Sequence, residues 1–336
     1  MKQKIIACIL FCVIMISIPF ICMGTNLPDS PDPVPVSSAP APVSSSPPAT
    51  VSDAASFRIL DEATDTVITV PDNEFLYGAV ATEMSPTDEI EALKAQAVAA
   101  YTYYSRLRSQ QRQDPDDALK GADFIANTEN WYLYTTKENM QKRWGDNFDT
   151  YYERLTEVAN AVSGQTLQKD GELICSTYYA ISSGKTESAA DIWGGDYSYL
   201  VAVASPGDVY ASGYQTTETF SEQDFKKAAQ AQWSDIKLDG DASTWVGTIN
   251  RTASGSVTTM ELGGLEVTGG DIRTIFGLRS ANFELDYQDG NFIFTVKGYG
   301  HGVGMSQTGA QYMANQGKSY QEILAWYYPG TTLVIP

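Results

Sequence analysis

Two features of this chain have the residue types and spacing to do chemistry. The first is Glu83, which lies seven residues after Leu76 and four after Ala79. At helical spacing it shares the face of Phe75, Leu76, Ala79 and Val80. A carboxyl among apolar neighbours keeps its proton toward neutral pH, as a general acid must. The plainer alternative is a buried carboxylate paired with a lysine or arginine. The second feature is Gly298-Tyr-Gly-His301-Gly-Val-Gly-Met-Ser306-Gln307, with four glycines in seven residues. Such spacing curves the backbone tightly around one imidazole and one amide. No Gly-Lys-Ser/Thr follows, so this is not a phosphate-binding loop, and it does not match a dinucleotide fingerprint. His301 and Gln307 could face a ligand or brace the loop.

Composition removes several other chemistries. Among 336 residues, 41 acids stand against 22 lysines and arginines, for a formal charge of −19. That balance disfavours nucleic acid, anionic lipid surfaces and polyanionic substrates. His301 is the one histidine, which excludes multi-histidine metal sites. Of four cysteines, Cys8, Cys12 and Cys22 sit near the start, leaving Cys175 in the body and no intrachain disulfide framework there. Only residue identity would join Cys175 and His301 as a nucleophile pair.

The elements that must position Glu83 begin near Phe57. Phe57–Leu60 and Val67–Val70 read as strands, and Pro71-Asp72 opens a helix with Asp72 as its N-cap. Ser85-Pro86-Thr87-Asp88 restarts a helix in the manner of a capping box, carrying Ile90, Leu93, Ala97, Val98, Tyr101 and Tyr104 at helical spacing. Aromatic-rich helices are expected within residues 122–161, and strands near 173–179 and 200–204. Residues 205–300 read as mostly β, with alternating runs at 258–262 and 292–296. Two short helices follow the glycine-rich loop, at 307–315 and from Ser319 to Tyr328. The expectation is an α+β fold. It has a helix-rich catalytic first half with Glu83 near a helix end, a β-rich second half, and the C-terminal glycine-rich loop with two short helices. One large domain is expected over 57–336, with a candidate β-rich subdomain at about 205–297.

The N-terminus points outward from the cytoplasm. Lys2 and Lys4 precede an uncharged apolar run, Ile5 to Met23, whose length of roughly 28 Å as a helix matches the hydrocarbon core. Residues 1–4 then form a cytoplasmic tail and 5–23 a single-pass anchor. A cleaved signal peptide, or a lipoprotein cut before Cys22, are the alternatives; all three export the remainder. Residues 24–56 are a linker, holding eight of the fifteen prolines between positions 28 and 48.

Three ordered segments resemble the stage II sporulation protein D family, also called the amidase-enhancer family of cell-wall proteins. They are Glu83-Met-Ser-Pro with Glu91-Ala-Leu-Lys-Ala-Gln-Ala-Val-Ala-Ala100; Ser182-Ser-Gly-Lys-Thr-Glu with Asp191-Ile-Trp-Gly; and Gly298–Gln307 continued by Ile323–Gly330. Leu278–Phe283 also fits. The resemblance implies a lytic transglycosylase that cuts peptidoglycan glycan between N-acetylmuramic acid and N-acetylglucosamine, leaving a 1,6-anhydro end. Glu83 falls on the family's catalytic acid. Lys94 and Gln96 match groove positions, and Ser183, Thr186, Trp193, His301 and Gln307 are candidate substrate contacts. Trp193 could stack on a sugar ring, but its plainer reading is a core tryptophan. Tyr101 stands where members commonly carry arginine, and joins the groove candidates. Ser85 interrupts the usual Glu-Met-Pro, and Lys185 replaces a loop glycine. Some members bind zinc through a cysteine followed by His-Cys; here Ala180 and Ile181 follow Cys175, so no metal and no cofactor is expected. The implied partners are peptide-stripped glycan strands, a cell-wall amidase and the engulfment machinery, with the membrane held through the N-terminal helix and no nucleic acid. The implied place is the cell membrane, catalytic domain outside. The alternative is a non-catalytic wall-binding module that enhances an amidase.

Overall fold

The computed structural model describes residues 55–195 and 197–336. The expected tail, anchor and the linker through residue 54 lie outside the described residues. Among those described, no helix is long and apolar enough to cross a membrane.

The β1 strand (Ser56–Asp61) buries Phe57, Ile59 and Leu60. It pairs with β2 (Thr66–Pro71) on one side and, in parallel, with β3 (Phe124–Ala126) on the other, Ile59 opposite Phe124. Residues 124–126 were expected to be helical. They form a strand because β1 offers them an unpaired edge, and tertiary pairing overrides a weak local period.

Helix α1 (Asp72–Glu83) follows directly and buries Phe75, Leu76, Ala79, Val80 and Ala81. Pro71, not Asp72, occupies the N-cap, and no side chain caps the helix. Gly78 allows the close approach of the 134–135 segment: a Cβ there would lie 2.3 Å from the Tyr134 ring and 2.7 Å from Thr135 O. Helix α1 ends at Glu83 because Met84 is extended (φ −134°, ψ 156°), and Pro86 cannot continue a helix. Helix α2 (Ile90–Gln113) starts later than the capping-box pattern suggests. Ser85 N–H donates to Asp88 at 3.0 Å and Thr87 N–H to Ser85 Oγ at 3.3 Å, so this box closes a separate turn before the helix. Its alanine-rich stretch, 92–100, is buried apart from Lys94, which lets neighbouring helices approach the backbone closely. Phe57, Phe75, Tyr104 and Phe124 meet where the β1 sheet packs on α1 and α2, with ring centroids 4.4 to 5.8 Å apart.

The expected helices beyond β3 are α3 (Lys137–Trp144), capped by Thr136, and α4 (Phe148–Ala161). Short strands β4 (Thr166–Lys169), β5 (Glu172–Leu173) and β6 (Tyr178–Tyr179) come next, then the single turn α5 (Ala189–Ile192). Residues 200–204, expected as a strand, contribute only a bridge from Ala204 to Lys185.

The β-rich half holds β7 (Gln215–Ser221), β8 (Val246–Arg251), β9 (Val257–Leu262), β10 (Leu265–Thr268), β11 (Phe283–Gln288) and β12 (Asn291–Lys297), in two antiparallel three-stranded sheets ordered β11-β12-β7 and β10-β9-β8. It also contains two helices that the β reading passed over, α6 (Glu222–Gln232) and α7 (Gly269–Ile275). Phe225 of α6 stacks on Phe292 at 3.9 Å in a core shared with Trp245, Met260, Phe276 and Phe294.

The C-terminal segment returns to the first half. β13 (Met305–Ser306) runs parallel to β6, Met305 opposite Tyr178. Helix α8 (Gln307–Asn315) is capped by Ser306, and α9 (Tyr320–Tyr327) by a full Ser319/Glu322 capping box; both helices fall within one residue of their sequence-based bounds. β14 (Thr332–Val334) pairs with β4. The mixed α+β class holds, and Phe57–Pro336 forms one compact unit.

Candidate active site

Three helices converge on one amide. Glu83 is the last residue of α1, Gln96 lies in the second turn of α2, and Gln307 is the first residue of α8. Gln307 Nε2 donates to Glu83 Oε2 at 3.1 Å and to Gln96 Oε1 at 3.4 Å. Gln96 is fully buried, and its own Nε2 has no partner.

Gln307 is placed by its neighbours on both sides. Ser306 Oγ accepts from Gly309 N–H, which caps α8. Ser306 also donates to the buried Asp208 carboxylate at 2.5 Å, as do Ser205 Oγ, Ser182 Oγ (2.9 Å) and Ser182 N–H (3.1 Å). Burial still pushes the Asp208 carboxyl up, against the pull of these donors. On the other side, Gly304 adopts φ +86°, and a Cβ there would lie 2.0 Å from Thr177 O. Only glycine lets the loop lie this close to the strand that carries Tyr178.

Glu83 is half-buried as a residue, but its carboxyl is desolvated. Burial pushes its pKa from an ordinary 4.5 to about 7, and the smaller effect of the Gln307 amide pulls the other way. The hydroxyls of Tyr104 and Tyr178 are held well above 10, chiefly by burial, with the Glu83 charge adding to it. Both hydroxyls stay neutral. Glu83 opens into a cleft of about 290 Å³, walled by residues 81–86 and by Trp131, Arg143 and Trp144. It is the one carboxylate among the described residues of that wall.

The other sequence candidates are placed differently. His301 lies one strand away: its Nδ1 accepts from Val303 N–H at 3.1 Å, so Nε2 carries the proton and donates to Tyr178 O at 3.1 Å. Burial and the charge of Arg273 lower its pKa to about 3, which keeps it neutral. With both ring nitrogens engaged, it is no base for Cys175. Trp193 packs its ring 5.2 Å from His301. Thr186 is buried, donating to Val201 O and accepting from Val203 N–H, and so ties two loop strands together. Ser183 Oγ donates to Ser254 O at 3.1 Å. Lys94 pairs with Glu91 at 2.8 Å, and Glu91 in turn accepts from Tyr320 N–H, so the pair joins α2 to α9.

Tyr101 is turned away from the site. Its hydroxyl donates to Asp72 at 2.5 Å, and Arg108 reaches the other oxygen of Asp72 at 2.7 Å. Asp72 and Glu83 stand at opposite ends of α1, about 16 Å apart along its axis at 1.5 Å per residue. The cleft wall opposite the 81–86 segment escaped the sequence reading: Trp131, Arg143 and Trp144. Their only local signal was the aromatic richness of the stretch. Among the described residues, no group of three His, Cys, Asp or Glu side chains could hold a metal ion.

The stage II sporulation protein family model matches residues 61–168, a span that carries Glu83, Gln96 and the aromatic wall. The chain is 35% identical to the stage II sporulation protein D of Bacillus subtilis (strain 168) over 279 residues, 83% of this chain and 78% of that one. It is 34% identical to the protein of the same name from Bacillus amyloliquefaciens, covering 85% and 80%. It is also 25% identical to the amidase enhancer of Bacillus subtilis, over 77% of this chain and 40% of that longer one.

Proposed function

The chain belongs to the stage II sporulation protein D family, and on that premise we propose that it is a lytic transglycosylase of peptidoglycan glycan with Glu83 as acid and then base. The observation that carries the reading is a carboxyl poised near pH 7 in a cleft whose wall, among the described residues, holds no second acid. A glycosidic oxygen leaves poorly unless protonated as its bond to the anomeric carbon breaks. The Glu83 carboxyl supplies that proton from Oε1 while Gln307 holds Oε2. The developing positive charge on the sugar is then quenched by its own 6-hydroxyl, whose proton returns to Glu83 as the 1,6-anhydro ring closes. A hydrolase would need a second carboxylate to activate water or attack the sugar. Ring closure needs one.

The residues also fit a role outside the membrane. The apolar run from Ile5 to Met23 and the proline-rich segment behind it would hold the catalytic body away from the lipid and within reach of the wall. Sporulation is the setting that the family name supports, in engulfment of the developing spore, and a cell-wall amidase is the partner that would strip the strands. A second reading, a non-catalytic wall binder that stimulates an amidase, is favoured by the likeness to the amidase enhancer.

Peptide-free glycan incubated with the chain and with its E83Q variant separates the two. Anhydro-muramyl ends from the wild type alone support the enzyme. Equal products from both would remove Glu83 from the chemistry, and wall binding without products would favour the enhancer.

A further inference from the structure

The described wall of the Glu83 cleft carries a single cation, Arg143. Arg143 lies at the end of α3 with its guanidinium carbon 4.3 Å from the centroid of the Trp131 ring. No acid among the described residues pairs with it. Stacking on an indole orients the guanidinium plane and leaves its N–H edge for a partner.

The platform beneath it is built. Trp131 sits in a left-handed backbone conformation, φ +57°, which costs a bulky residue strain energy. The turn is locked by reciprocal backbone hydrogen bonds between Asn127 and Tyr132 and by Asn130 N–H on Asn127 Oδ1 at 3.0 Å. Trp131 meets Trp144 at 5.7 Å, and Trp144 is backed by Tyr151 at 5.7 Å. Two indoles beside a proton donor suit the apolar face of a sugar ring, and a forked cation at their edge suits a carboxylate. A glycan of N-acetylglucosamine alone has none. A muramyl ring carries a lactyl ether whose carboxyl is an amide while a stem peptide is attached and a free carboxylate once it has been removed.

We propose that Arg143, stacked on Trp131 in the Glu83 cleft, is a specificity-determining residue that reads a free carboxylate on the sugar bound there. This rests on the glycan reading above and adds how the cleft distinguishes one ring from another. It also explains how a protein of net charge −19 captures an anionic strand: one local cation outweighs a screened global field over contact distances.

The test measures binding apart from cleavage. The full-length chain bearing E83Q is titrated with glycan strands whose lactyl groups are free carboxylates, with the same strands converted to methyl amides, and with chito-oligosaccharides of equal length. The expected result is about three- to fivefold tighter binding of the carboxylate form than of either neutral form, the upper range for one ion pair at an exposed side chain such as Arg143. Adding R143Q brings all three within about twofold, and R143K retains part of the difference. Equal affinities in the E83Q parent, or an equal loss on all three ligands from R143Q, would overturn the proposal. Anhydro ends are scored separately with the unmutated chain. Their absence with the binding preference intact would refute the transglycosylase reading and leave Arg143 as a carboxylate reader.

Discussion

The amide of Gln307 donates to the carboxyl of Glu83 across 224 residues of sequence, and that contact at 3.1 Å joins the end of one helix to the start of another. It fixes one oxygen of the acid without supplying a counter-charge. The carboxyl is thereby positioned but not ionised, and its pKa stays near 7.

On the proposed function, replacing Glu83 with glutamine removes the proton that the leaving oxygen needs. Turnover of peptide-free glycan should fall by about 10²–10⁴, the range for loss of a general acid. Stability should move the opposite way with pH. Because the folded pKa is raised above 4.5, the native state holds the proton more tightly than the unfolded chain. Wild-type stability therefore drops as pH rises from about 4.5 to about 7. Below that window E83Q and wild type should melt together. At pH 8 the variant should be the more stable, by a margin on the order of 2 kcal/mol, measured by thermal denaturation at both pH values.

The Gln307 contact predicts a displaced pH profile. Since the amide pulls the Glu83 pKa down against burial, Q307L should let it rise. The alkaline limb of kcat/KM, set by loss of the Glu83 proton, should move to higher pH. Its maximum should fall several-fold, as the carboxyl loses its anchor. An unmoved limb would mean that another group titrates.

Tyr101 separates architecture from catalysis. Y101F removes a hydrogen bond to Asp72 that is largely shielded from solvent, and should cost about 1 kcal/mol in denaturant unfolding. The far end of α1 is untouched, so KM and kcat on glycan should stay within about twofold of wild type. A raised KM at unchanged stability would instead place Tyr101 in the groove.

Gly304 permits no side chain. A methyl at φ +86° would meet Thr177 O at 2.0 Å, a backbone atom that cannot swing aside. G304A should destabilise the fold by roughly 3 kcal/mol or more. Because β13 leads directly into Gln307, residual activity should be lost even below the new melting temperature.

How much of this was legible in the sequence depended on range. Glu83 stood out because apolar residues at helical spacing mark a buried face, and the four glycines because so many in seven residues demand unusual backbone angles. Helix α9 was legible from its Ser319 cap, and α8 was placed directly behind the glycine-rich loop. Their meeting with α1 was not, since no local pattern records a contact spanning 224 residues. Residues 124–126 formed a strand because β1 needed a neighbour. Helix α6 had its own signals in Ser221, Asp224 and the buried pair Phe225 and Ala229, hidden within a stretch that read as β. Trp131 looked like one more aromatic, because the left-handed turn that presents it is set by hydrogen bonds to Asn127 and Asn130 rather than by residue type.

The long span between Glu83 and Gln307 also orders events in time. Synthesis delivers the acid first and the amide, with the loop that aims it, 224 residues later. A nascent or truncated chain that stops before Ser306 carries Glu83 with no anchor and an open floor where α8 belongs. On the proposed function, the acid is anchored for cutting only once the residues through α8 have been made and have packed against α1.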